Sequence, residues 1–92
     1  MSLARPRINR LFRFQWEPAQ QAHVLLYPEG MIKLNHSGGE ILARCDGQRD
    51  ITAIVADLET AFSASGLRGD IEAFLAMAIE KRWLRLDTGA KA

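Results

Sequence analysis

Hydrophobic residues occupy alternate positions in the first third of the chain, a pattern typical of strands with one buried face. Phe12, Phe14 and Trp16 are separated by polar residues, and this period of two predicts a first strand. After a polar loop, residues 23–27 (HVLLY) form a second strand that is apolar enough to be central. Residues 31–34 (MIKL) alternate again and predict a third strand.

A tight turn joins the second strand to the third. Pro28 presets its own φ, and Gly30, two residues later, accepts the positive φ that closes such a turn. Two hairpin connections in series then give a three-stranded antiparallel meander.

After the third strand the hydrophobic period becomes helical. Asn35 or Ser37 can cap the first helix, and Ser37 with Glu40 fits the S-x-x-E capping box. Asp46 and Gly47 end that helix, with Gly at the left-handed position.

Two further helices follow. Asp50 caps the second, and Gly69 with Asp70, itself a candidate cap, opens the third. The apolar stripe of the second helix comprises Ile51, Ile54, Val55, Leu58 and Phe62, and that of the third comprises Ile71, Phe74, Leu75, Ala78 and Ile79. Residues 84–86 form a brief extended tail. The fold class is therefore α+β, a small three-stranded antiparallel sheet followed by three helices packed on one face.

The apolar sector of the third helix is wider than packing on a sheet requires. Ala76 and Trp83 extend it on one flank to about 200°, whereas a stripe somewhat over 100° is sufficient. The excess either packs against the other helices or forms the apolar wall of a groove, and the pattern alone leaves both open.

Composition favours one small soluble domain. Of 92 residues, 48% are hydrophobic and the net charge is +1, which argues against a dedicated nucleic-acid binder. The single cysteine excludes an internal disulfide and fits a reducing compartment. No apolar run is long enough for a membrane span, and no signal-peptide hydrophobic region is present, so we expect a cytoplasmic protein.

Arginine is concentrated at the N-terminus. Residues 1–10 are expected to be a flexible basic arm, residues 11–88 a single domain and residues 89–92 a tail. Arg5, Arg7, Arg10 and Arg13 all precede the first acidic residue. They form either a solvated, frayed arm or a positive arm that steers an acidic partner.

No catalytic grouping is recognisable. Cys45 lies on an apolar stripe, which favours a buried side chain over a nucleophile. His23 and His36 lack the spacing of a metal site. Ser37-Gly-Gly-Glu40 lacks the Lys-Ser/Thr of a phosphate loop. We therefore expect no enzyme, no metal and no cofactor.

A DNA-binding winged helix is the alternative function, because three helices accompany a small sheet. The third helix carries only Lys81 and Arg82 as basic residues near its end, opposed by Glu72 and Glu80. A recognition helix normally exposes more basic or amide groups, so this alternative is the weaker one.

Several motifs together resemble the pyrroloquinoline quinone (PQQ) biosynthesis protein D family. Tyr-Pro-Glu-Gly (27–30) followed at this distance by Cys-Asp-Gly (45–47) is the specific combination. The resemblance spans roughly residues 5–86 and also includes Arg5-Pro6-Arg7, Leu25-Leu26, Leu34-Asn35, Ile41-Leu42, Ile54-Val55, Leu58, Asp70 and Ala73-Phe74-Leu75. It departs from the family at residues 36–39, where an acidic, Thr- and Ala-rich helix start is usual, and at Arg82, where Gly is common.

The resemblance implies a winged-helix-like peptide-recognition module without catalytic activity. Such proteins are chaperones that bind a short ribosomally made precursor peptide and present it to a radical S-adenosylmethionine (SAM) enzyme. That enzyme carries the iron–sulfur clusters, so this chain needs no cofactor of its own.

The residues suit capture of an extended peptide at a sheet edge. The expected peptide-binding site lies between the third strand and the third helix. Its residues are Met31, Ile32, Lys33, Leu34, Leu75, Ile79 and Arg82. For the apolar residues among them, ordinary packing in the core is the alternative to contact with the peptide. Because an open edge can also pair with a second copy, the chain is expected to be a monomer or a weak homodimer.

Overall fold

The computed structural model describes residues 4–87, which form five strands and three helices. In chain order these are β1 (Arg5–Ile8), β2 (Arg13–Glu17), β3 (Ala22–Tyr27), β4 (Gly30–Lys33), α1 (His36–Ala43), α2 (Ile51–Ala61), α3 (Arg68–Glu80) and β5 (Leu84–Asp87). The α+β class and the order of the sheet and helices are as the sequence predicts.

Strands β2, β3 and β4 form the antiparallel meander, with β3 in the centre. Phe14 faces Leu25 across β2 and β3, and Leu25 faces Ile32 across β3 and β4. The predicted third strand is thus β4. Its turn differs from the prediction, because Gly30 pairs with Tyr27 as the first residue of β4 and does not have a positive φ.

A second sheet, which the sequence did not predict, joins the two ends of the described chain. β1 pairs antiparallel with β5, and Arg5 lies opposite Asp87. A flexible arm over residues 1–10 therefore does not describe residues 5–8, where buried Pro6 anchors a strand and exposed arginines flank it. The extended segment predicted at residues 84–86 is confirmed, whereas the tail at 89–92 lies outside the described residues.

Side-chain caps define two of the helix starts. Asn35, rather than Ser37, caps α1 by accepting a hydrogen bond from the Gly38 amide at 2.7 Å. Asp50 caps α2 as predicted. Asp70 is not a cap, because α3 begins two residues earlier, and its N-cap residue, Leu67, has no side chain that can accept a capping hydrogen bond. No described helix is long and apolar enough to cross a membrane.

The first helix is shorter than predicted, because it ends at Ala43. Gly47 does adopt a positive φ of 79°, but it serves a different purpose. Its amide donates to the Pro6 carbonyl at 2.9 Å, and its neighbour Asp46 forms a β-bridge with Arg7. The left-handed turn therefore ties β1 to the segment after α1.

Two adjacent glycines let α1 approach its neighbours closely. A Cβ atom on Gly39 would lie 2.7 Å from Nδ1 of His23 on β3, and one on Gly38 would lie 3.2 Å from the ring of Phe74 on α3. Gly38 and Gly39 thus permit the close contacts of α1 with α3 and β3. One hydrophobic core, which includes Leu25 of β3 and Leu84 of β5, joins both sheets and all three helices.

Candidate functional site

The outer edge of β4 offers unpaired backbone groups. Leu34 donates to the His23 carbonyl at 3.0 Å, which makes this a hydrogen-bonded pair of the ladder. Hydrogen-bonded and non-hydrogen-bonded pairs alternate along an antiparallel ladder, so Ile32 points its N–H and C=O at β3. Met31 and Lys33 must then point theirs away from β3, where no described strand pairs with them.

The side chains of this segment divide into an exposed pair and a buried pair. Met31 is 44% exposed, and Lys33 is also exposed. Ile32 packs against the core from its border, and Leu34 lies inside it at 6% exposure. An edge-bound peptide would therefore meet polar backbone along β4 and only part of its apolar side chains.

The predicted residues of the opposite wall lie in different environments. Leu75 is a core residue with 2% exposure, which is the alternative that the sequence left open. Ile79 is half-buried against the same core. Arg82 lies beyond the end of α3, in the turn before β5, with an exposed side chain and a φ of 68°. A left-handed backbone is the conformation that glycine adopts most readily, so an arginine at this position is strained.

Two aromatic residues that the sequence did not place in the site lie close to this region. Phe74 is half-buried and packs against the start of α1 at Gly38, the helix that directly follows β4. Its ring centroid is 6.5 Å from that of Trp83. The signal was present in the wide apolar sector of the third helix, which included both residues, but helical spacing alone could not tell a half-buried position from a core position.

One cleft borders the segment that joins β4 to α1, and a second lies on the helical side of α1. A polar cleft of about 540 Å³ includes Lys33 and Leu34; its other lining residues are Trp16, Gln20, Gln21, Ala22, His23, Asn35, His36 and Glu40. An apolar cleft of about 330 Å³ lies between the three helices; its lining residues are Ser37, Ile41, Leu58, Phe62, Leu67, Asp70, Ile71 and Phe74. Only the polar cleft includes a residue of β4, Lys33, so it is the one that a peptide paired with β4 would border.

The titratable groups near the core are arranged for packing rather than for chemistry. Burial raises the pKa of the Cys45 thiol to about 12, so the nucleophilic thiolate is suppressed. The Cys45 thiol instead donates to the Ile41 carbonyl. His23 stacks on Phe14 with ring centroids 4.8 Å apart. Among residues 4–87, no group of three or more His, Cys, Asp or Glu side chains could hold a metal ion.

Comparison with known sequences identifies relatives along most of the chain. The family model of coenzyme PQQ synthesis protein D (PqqD) matches residues 22–84. A PqqA binding protein of Stutzerimonas stutzeri is 56% identical over 82 residues, which cover 88% of this chain and 89% of that protein. A PqqA binding protein of Methylococcus capsulatus is 47% identical, over 85% of this chain and 84% of that one.

Comparison with solved structures points in the same direction. The PqqD truncation of Methylobacterium extorquens PqqCD, described as a functional and stand-alone recognition element for ribosomally synthesized and post-translationally modified peptides, is 30% identical. It superimposes with a TM-score of 0.67 over 87% of each chain. The heterocyclase TruD shares the fold, with a TM-score of 0.70 at 17% identity over 97% of this chain and 12% of that one. The chain belongs to the PqqD family.

Proposed function

We propose that this chain binds a PqqA-type precursor peptide by adding it as a strand to the free edge of β4. The observation that carries the proposal is the outward N–H and C=O groups of Met31 and Lys33. Family membership supports the identity of the ligand, because relatives that are about half identical are named PqqA binding proteins.

Backbone pairing supplies affinity, and neighbouring side chains supply selection. Lys33 can meet a carboxylate of the peptide, and so can the exposed Arg82. Ile32 and Ile79 select apolar peptide side chains at the border of the core. Leu34 and Leu75 support this border from behind, since both are buried.

The chain acts as a chaperone in the cytoplasm, and the chemistry belongs to a radical SAM enzyme that receives the peptide. The reacting groups, iron–sulfur clusters and S-adenosylmethionine are those of that enzyme. The suppressed thiolate of Cys45 is consistent with a non-catalytic role for this chain.

The open edge also sets the oligomeric state. A second copy that pairs through β4 would occupy the edge that the peptide needs. We therefore expect a monomer or a weak homodimer in which self-association and peptide binding compete.

Isothermal titration calorimetry with a synthetic precursor peptide tests this function. We expect a dissociation constant of about 1 μM or lower, equivalent to about −8 kcal/mol, and no binding of a scrambled peptide of the same composition. The absence of binding at several hundred micromolar peptide would contradict direct recognition by the isolated chain.

A further inference from the structure

Arginine side chains face each other across the β1–β5 sheet. Arg7 lies directly opposite Arg85 in this antiparallel pair. Residues opposite each other in such a pair have Cβ atoms about 5 Å apart, and like charges at this position destabilise the pairing. The sequence therefore keeps a local repulsion that a Glu or Thr at either position would relieve.

Internal acids neutralise only part of this charge. Asp87 lies 2.9 Å from Nε of Arg7 and 3.9 Å from Nε of Arg85, so one carboxylate serves two guanidinium groups. Asp46 neighbours Arg7 across the β-bridge, but its carboxylate is directed to Arg49 at 3.9 Å.

The positive charge continues from β1 to β2. A cleft of about 220 Å³ is lined by Arg7, Ile8, Arg10 and Arg85. Arg10 also lines a second cleft of about 470 Å³, with Leu11, Phe12, Arg13, Leu26 and Tyr27. We call Arg7, Arg10, Arg13 and Arg85, together with Leu11, the arginine surface.

An exposed apolar residue lies within this basic region. Leu11 is 70% exposed, the highest value among the large hydrophobic residues of the described chain that remain exposed. Arginines around an apolar residue are typical of protein–protein interfaces, where Arg is enriched and apolar area is buried at the centre.

The arginine surface and the β4 edge are separate but neighbouring. Arg13, Leu26 and Met31 lie in one row across β2, β3 and β4. With about 4.8 Å between strands, Arg13 is about 10 Å from β4. A folded partner at the arginine surface can therefore lie beside a peptide paired with β4 without using the same edge.

We infer that the arginine surface docks an acidic surface of the enzyme to which the peptide is delivered. This inference rests on the proposed function. Charge complementarity carries it, since Asp87 is the one carboxylate of the described residues paired with any of the four arginines, and it reaches only Arg7 and Arg85. Such complementarity accelerates association and makes it sensitive to salt.

The test compares the wild-type chain with the double variant Arg10→Glu, Arg85→Glu. Arg10 makes no ion pair among the described residues, and Arg85→Glu replaces a like-charge cross-strand pair by an opposite-charge pair, so the fold is retained. The control is Arg68→Glu, an exposed arginine at the start of α3, and because it reverses one charge it is compared with the single variants Arg10→Glu and Arg85→Glu as well.

Binding to the radical SAM enzyme of the PQQ pathway is measured by biolayer interferometry, with and without precursor peptide. We expect the double variant to bind the enzyme about tenfold more weakly or worse at about 50 mM NaCl, and wild-type affinity to fall toward about 300 mM NaCl. The control variant and the wild-type chain should agree within about twofold. Unchanged enzyme binding by the double variant, or no enzyme binding by the wild-type chain, would overturn the inference.

Two further measurements distinguish this inference from its alternatives. Precursor-peptide affinity of the double variant should stay within about twofold of wild type, because the peptide uses β4; a loss of peptide binding would assign the arginines to the peptide instead. If a DNA duplex of about 20 base pairs binds the arginine surface more tightly than the enzyme does, the arginine surface is a site for phosphates rather than for the enzyme. If the wild-type chain binds the enzyme but not the peptide, the proposed function fails while the inference stands.

Discussion

Met31→Pro separates the backbone contribution to peptide binding from the stability of the sheet. Met31 faces Leu26 as a non-hydrogen-bonded pair, so its N–H points outward and proline removes no ladder hydrogen bond. Proline is tolerated at such edge positions. We expect the free energy of unfolding, measured by chemical denaturation, to change by less than about 1 kcal/mol.

The effect on binding should be larger. One intermolecular hydrogen bond contributes about 0.5–1.5 kcal/mol net, and the proline ring also leaves a peptide carbonyl without its donor. We expect a loss of about 1.4 kcal/mol or more, which is about tenfold in the dissociation constant measured by calorimetry.

Two control variants interpret the result. Met31→Ala keeps the N–H and should weaken binding less than proline does. Ile32→Pro removes an N–H that points at β3 and leaves a carbonyl of β3 without its donor, so it should destabilise the fold by about 1–3 kcal/mol. A folded Met31→Pro protein with wild-type affinity would refute edge pairing at β4, and a stable Ile32→Pro protein would refute the register.

Three further predictions concern positions that the structure sets apart. Arg82→Gly should stabilise the fold by about 1 kcal/mol, because the left-handed backbone at this position strains any side chain. It should also weaken peptide binding if Arg82 meets a carboxylate. Thermal denaturation measures the first effect and calorimetry the second, and a less stable variant would contradict the argument. Gly39→Ala should destabilise the fold by about 1–2 kcal/mol, because its Cβ atom would lie 2.7 Å from Nδ1 of His23 on β3. Gly69→Ala is the comparison: a Cβ atom there would have no atom within 4 Å, so this variant should be more stable than wild type by up to about 1 kcal/mol. Equal effects of the two variants in urea denaturation would show that close approach to β3 is not what requires glycine at position 39. Burial raises the pKa of the Cys45 thiol to about 12 from a reference value of 9.0, so its contribution to stability is complete below about pH 9 and is lost as pH rises toward 12. Over this range the free energy of unfolding of wild type should fall more steeply with pH than that of Cys45→Ala. Parallel curves for the two proteins would mean that the thiol is not buried.

The meander and the helices follow from local patterns in the sequence. Alternation at Phe12, Phe14 and Trp16 marks strand β2 but not its buried face, because Phe12 precedes the strand and Trp16 is 53% exposed. The helical stripe around Ile54 and Leu58 does mark the buried face of α2. The Asp50 cap is local as well, because it bonds to an amide three residues away.

The β1–β5 sheet could not be found in this way, because it pairs residues about 80 positions apart. The alternation of Ala4, Pro6 and Ile8 with arginines was the available signal. Proline and alanine are poor strand residues, so the pattern looked like a loose arm. Long-range pairing with β5 overrode this weak preference.

The candidate site was predictable in part. The edge position of β4 followed from the order of the strands, and the exposed Met31 and Lys33 lie on it. Leu75 could not be distinguished from Phe74 by spacing, because both lie on the same apolar sector. Which of them is buried depends on how α3 packs against α1, and that contact is set by Gly38.

Isotope-edited NMR of the peptide complex tests the central claim most directly. In the free chain, the amide protons of Met31 and Lys33 should exchange rapidly with solvent, and in the complex both should become protected and show cross-strand nuclear Overhauser effects to the peptide backbone. Protection at β4 would establish strand addition at this edge. A tight complex in which both amides still exchange rapidly, without contacts between β4 and the peptide, would contradict it.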